Sequence, residues 1–130
     1  MASSTDDLIN FAKEIAGNPS EIHQRCSASR AYYASYHLCN GFAETRDIPH
    51  HYEEKTSYGF HEALIKRFTE FNQTSKEATN LKSVGYMLRQ SRDIRVNADY
   101  RLTETFDSKD TKLAIGYFEK IFERLENSKI

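Results

Sequence analysis

The sequence predicts an all-α fold, an up-down helical bundle of four main helices plus a shorter fifth, filling a single domain over residues 1–130. Three observations predict it. Apolar residues recur at three- and four-residue spacing through several long segments. The two prolines, Pro19 and Pro49, both stand at breaks between such segments. No alternating strand pair, hairpin turn, internal repeat or low-complexity tract interrupts them. A chain of this length supports one hydrophobic core and is too short for two.

The elements follow in order. A first helix is expected over residues 4–16, capped by Ser4 or Thr5, with Leu8, Ile9, Phe11, Ala12, Ile15 and Ala16 as its apolar stripe. Gly17-Asn18-Pro19 ends it. Asn18 then reads as the cap of a long second helix over residues 19–44, with Pro19 at the first helical position and Glu21 three residues after the cap. Residues 45–58 form a polar connection. The third helix is expected over residues 59–71, with Phe60, Ala63, Leu64, Phe68 and Phe71 on one side. The fourth spans 74–98 on Ala78, Leu81, Val84, Tyr86, Leu88 and Ile94. After a turn at 103–107, Ser108 caps the fifth helix. There Leu113, Ile115, Tyr117, Phe118, Ile121, Phe122 and Leu125 are expected to face inward.

Composition narrows the function classes. With 18 basic and 19 acidic residues the formal net charge is −1, so total charge gives no reason for general nucleic-acid or lipid binding, which would need a local cluster. No run has the apolar length of a membrane span, and the N-terminus lacks the basic-then-apolar order of a signal peptide. A soluble, cytoplasmic protein is expected, without a membrane partner. Cys26 and Cys39 lie 13 apart in one helix, which points them to different sides and disfavours a mutual disulfide. Neither they nor His50-His51 has a further ligand at metal spacing, so no metal and no cofactor is expected.

Two stretches stand out, Ser29-Arg30-Ala31-Tyr32-Tyr33-Ala34-Ser35-Tyr36-His37 and Arg92-Asp93-Ile94-Arg95-Val96-Asn97-Ala98-Asp99-Tyr100. Each sets charged and aromatic residues inside a helix at spacings that gather them on one face. Cys26, Arg30, Tyr33 and His37 share one side of the second helix. Arg30 and His37 lie two turns apart, about 10 Å along the axis. In the fourth helix Arg89, Arg92 and, less closely, Arg95 share a side, a phosphate-binding strip or a solvated face. Arg95 and Asp99, four apart, suit an intrahelical ion pair.

These two stretches resemble a subgroup of the HEPN family, helical bundles of bacterial toxin–antitoxin and defence modules. The matching residues are Arg30-Ala31-Tyr32-Tyr33-Ala34-Ser35-Tyr36-His37 and Arg95-Val96-Asn97-Ala98-Asp99-Tyr100. The resemblance implies one of two functions. One is a metal-independent endoribonuclease acting as a homodimer. The other is a non-catalytic nucleotide- or RNA-binding or scaffold module beside a nucleotidyltransferase, an antitoxin or another defence partner. The family's nuclease motif is an Arg, a polar residue and a following His. Here Arg92-Asp93 begins it, but Asn97 and Asp99 stand where the His is expected.

Metal-free RNA cleavage needs a base for the 2′-hydroxyl proton, an acid for the leaving oxygen and positive charge at the phosphate. On that reading Arg30, His37, Arg95 and Asp99 are the catalytic candidates. Tyr33, Arg92 and Tyr100 are the substrate-binding ones, the tyrosines by orienting a phosphate oxygen or stacking a base. The competing reading is a buried Arg–Asp–Tyr network that fixes helix register and catalyses nothing.

Overall fold

The structure, a computed structural model, describes residues 3–50 and 59–130. Five helices form an all-α bundle: α1 (Thr5–Ile15), α2 (Glu21–Thr45), α3 (Phe60–Thr69), α4 (Lys76–Tyr100) and α5 (Ser108–Glu126). Most of the expected polar connection, His51 included, lies outside the described residues. Helix α2 is the central element, packed on α1, α4 and α5, while α3 leans mainly on α4. The proportions differ from expectation, with three long helices of 25, 25 and 19 residues and two short ones of 11 and 10.

The caps show what selects each boundary. Ser4 begins α1 in a reciprocal capping box with Asp7. Asn18 does not cap α2. Its Oδ1 accepts from the Ser20 amide at 2.9 Å, turning the chain so that Ser20 takes the cap position and α2 starts at Glu21. Gln24 Nε2 then donates back to the Ala16 and Asn18 carbonyls, satisfying the end of α1. Ser75 Oγ accepts from Ala78 N at the start of α4, and Asp107, not Ser108, caps α5 by accepting from Lys109 N.

Neither α2 nor α4 has a basic residue in its own last turn, where the exposed carbonyls favour one. Each borrows an arginine from another helix. The buried Arg67 of α3 donates to the carbonyls of Ala43 and Ile48 and to the Glu44 carboxylate. That hydrogen bond and charge hold Glu44 below the usual carboxylate range. The buried Arg25 of α2 donates to the carbonyls of Asn97, Ala98, Arg101 and Glu104 and to Glu21. At the end of α2, Asp47 adopts a left-handed backbone (φ 53°) and the Ile48 amide reaches back to Ala43 O at 2.9 Å.

Two buried clusters fill the bundle. One gathers Tyr32, Cys39, Phe42, Leu64, Ile65, Phe68, Leu81, Val84 and Leu88; the other gathers Ile9, Ala12, Ala28, Ala31, Ile94, Ala98, Phe106 and Phe118. Several residues expected to face inward do not. Phe60 is 83% exposed, and Phe11, Tyr86, Leu113 and Phe122 are exposed as well. On α3 the buried stripe runs through Leu64, Ile65 and Phe68, which rotates Phe60 out and His61 in. Among the described residues, no helix is long and apolar enough to cross a membrane.

Candidate functional site

Between the two buried clusters, α2 and α4 turn their polar stretches toward each other, and α3 closes one side. The centre is Arg95, only 6% exposed. Its guanidinium carbon lies 5.5 Å from the ring centroids of Tyr32, Tyr33 and Tyr100 alike. The stacking rests on the planar, weakly hydrated guanidinium, which tolerates aromatic faces better than an ammonium does. Its ion pair with Asp99 is long, with Nη1 to Oδ2 at 3.7 Å, and its buried Nε has no hydrogen-bond partner among the described residues.

Asp99 is held from α2. Ser29 Oγ donates to Asp99 Oδ2 at 3.1 Å, and Arg30 Nη2 reaches the same hydroxyl at 3.4 Å while its guanidinium lies 5.2 Å over the Tyr33 ring. Tyr100 is 71% exposed, so the α2–α4 edge carries one open ring above a buried cation.

On the α3 side stands His61. Its Nδ1 is 2.7 Å from the Tyr32 hydroxyl, and its ring lies 5.0 Å from Tyr36, 5.5 Å from Tyr32 and 5.9 Å from Tyr33. Burial first, then the charges of Arg95 and Arg92, hold its pKa below the usual imidazole value. Burial pushes the Tyr32 phenol well above its ordinary range, against the opposing pull of Arg95 and Arg92. At neutral pH the phenol is therefore protonated and the imidazole neutral. The Tyr32 hydroxyl and His61 Nδ1 share one hydrogen bond, whose direction follows the imidazole tautomer.

The basic strip on α4 is partly occupied. Glu62 of α3 pairs with Arg89 at 2.5 Å through Oε2 and with Arg92 at 3.2 Å through Oε1. Arg92 keeps a buried Nε without a partner among the described residues, while its side chain is 33% exposed.

Of the residues selected from sequence, Arg30, Tyr33, Arg92, Arg95, Asp99 and Tyr100 come together here. His37 does not join them. It is exposed, packs edge-on against Tyr36, and lines a separate cavity of about 420 Å³ with Thr5, Gly41 and Arg46. Two site residues escaped the sequence reading, His61 and Glu62. The signal for His61 was its register: it shares the helical face of Leu64, Ile65 and Phe68, a polar group on an apolar stripe.

No family model, no curated protein and no solved structure matches this chain.

Proposed function

We propose that this protein is a HEPN-type module that engages RNA at the Arg92–Arg95–His61 site, working as a cytoplasmic homodimer of a toxin–antitoxin or phage-defence system. One observation carries this reading. Arg25 and Arg67, buried like Arg95, are each held by several carbonyl and carboxylate acceptors. Arg95 is held by rings, one distant carboxylate and nothing at Nε among the described residues. A buried cation with unfilled donor positions beside an exposed aromatic ring suits a phosphate and an unstacked base.

The chemistry of the site supports binding most directly. Arg92 and Arg95 supply charge for a phosphate, His61 offers a neutral imidazole, and Tyr33 and Tyr100 supply ring faces. Metal-independent cleavage is the extension of the same reading. His61, whose pKa burial and the charges of Arg95 and Arg92 hold down, replaces His37 as the proton-transfer candidate at this site. The second reading is a non-catalytic scaffold beside a nucleotidyltransferase or antitoxin. The clamp of Glu62 on Arg89 and Arg92 favours it, because that clamp already neutralises part of the strip.

The test uses the full chain, a labelled single-stranded RNA and excess chelator. Binding should weaken at least about tenfold in Arg95→Lys, which keeps the charge but loses the planar stack. Cleavage in chelator that disappears in His61→Gln selects the nuclease. Binding without cleavage selects the RNA-binding module. Absence of both, with the helical circular dichroism unchanged, leaves the scaffold.

A further inference from the structure

A second surface, on α4 and α5, is independent of that site. On α5, Lys109, Lys112, Leu113, Gly116, Tyr117 and Lys120 line one cavity of about 370 Å³. On α4, Lys82, Tyr86 and Met87 line a neighbouring one of about 580 Å³, and Tyr117 belongs to both. The two sets of lining residues follow the same progression along their helices, i, i+3, i+4, i+7, i+8, i+11, the spacing of a helix-packing stripe. Helices α4 and α5 pack on each other, so the stripes border a shared groove with a largely apolar floor. Leu113 is 50% and Tyr86 55% exposed. Gly116 leaves open space where a side chain would stand, which lets another backbone approach closely.

The rim decides the occupant. No aspartate or glutamate among the described residues lines either cavity, whereas four lysines do, in a chain whose total charge is −1. Lys109, Lys112 and Lys120 make no ion pair among the described residues, and the nearby Glu119 is engaged with Lys13 of α1. A second copy related by a two-fold axis would set lysine against lysine. RNA could stack on Tyr86 or Tyr117, but it would leave the aliphatic floor of Leu113 and Met87 unmatched and would meet no arginine on the rim. A helix with an apolar stripe and acidic flanks satisfies both the floor and the rim.

We infer that the α4–α5 groove docks an acidic amphipathic helix of a partner protein. The stripe on α5 is about 16 Å long at 1.5 Å per residue, so about three turns of partner helix cover it.

The probe is a stapled amphipathic peptide of about four turns with a Leu stripe flanked by Glu, labelled for fluorescence anisotropy. Its counterpart carries Lys in place of Glu. The acidic peptide should bind in a salt-sensitive manner and the basic one should not. The double substitution Lys112→Glu/Lys120→Glu should weaken binding about tenfold. Gly116→Trp should abolish it while leaving circular dichroism and RNA binding unchanged. Equal binding of both peptides, or of neither, overturns the assignment. So does displacement by single-stranded RNA, or a dimer that Gly116→Trp dissociates.

Discussion

Three buried arginines, alike in sequence, have different fates set by what lies within reach. Arg25 and Arg67 end among backbone carbonyls and lock helix ends, while Arg95 ends among tyrosine rings. The gathering of each polar stretch on one helix face was legible in sequence, because Arg30 and Tyr33 on α2 and Arg95 and Asp99 on α4 repeat at helical spacing. That the two faces meet was not, since spacing along one helix says nothing of what packs against it. The partner of Tyr32 was not, since His61 comes from a short helix whose rotation depends on packing against α4. His61 also makes a pH prediction. Its folded pKa lies below its unfolded value of about 6.5, so the unfolded chain binds more protons in that interval. Its contribution to stability is complete above about pH 6.5 and is lost as pH falls through the lowered folded value. The urea midpoint should therefore drop on acidification from pH 7.5 to 5.5. His61→Gln, which can still hydrogen-bond to Tyr32, should show a shallower drop; an unchanged slope would remove His61 as its source.

At the scale of elements, existence and order were readable and the ends were not. Residues 18–20 offer Asn and Ser, and 107–108 offer Asp and Ser, all good caps. The choice fell to contacts that the local pattern does not encode, such as Gln24 reaching the Ala16 carbonyl. The borrowed arginines make the same point, because the acceptors of Arg25 at the end of α4 lie more than 70 residues along the chain. Packing of α3 on α4 depends on one small residue. A Cβ on Gly85 would come within 2.7 Å of Thr69 Cγ2 and 2.8 Å of the Thr69 amide nitrogen. Gly85→Ala gains about 1 kcal/mol of helix propensity yet should lose about 1–2 kcal/mol net to overpacking. Urea unfolding would read that loss, and a more stable variant would show that the interface yields.

For the whole molecule, the two buried clusters meet along α2 and α4, and the seam is polar. Ser35 and Ser91 are fully buried there, with hydroxyls that find no partner among the described residues. Ser91 lies between Leu88 of one cluster and Ile94 of the other. A bundle selected for stability alone would fill such a seam with apolar side chains. Cys39 tests the integrity of the core around it. Burial pushes its thiol far above the ordinary range, while Cys26 is exposed. A disulfide exchange reagent should titrate Cys26 at once in the native protein. Cys39 should react only at the rate of opening, and prompt reaction of both would reveal a loosely packed bundle.

The clamp of Glu62 on Arg89 and Arg92 has a consequence for any polyanion that reaches the strip. A phosphate that takes the Glu62 positions on Arg89 and Arg92 evicts a carboxylate, so loading there is an ion swap, with fewer counterions expelled than bare arginines would release and a shallow response to added salt. The evicted carboxylate belongs to the residue next to His61. With it and a phosphate both nearby, the imidazole becomes a better base and captures a proton from solution. Occupancy of the strip and proton uptake thus become two readings of one event. In weak buffer near neutrality, each loaded molecule should leave the medium slightly more alkaline.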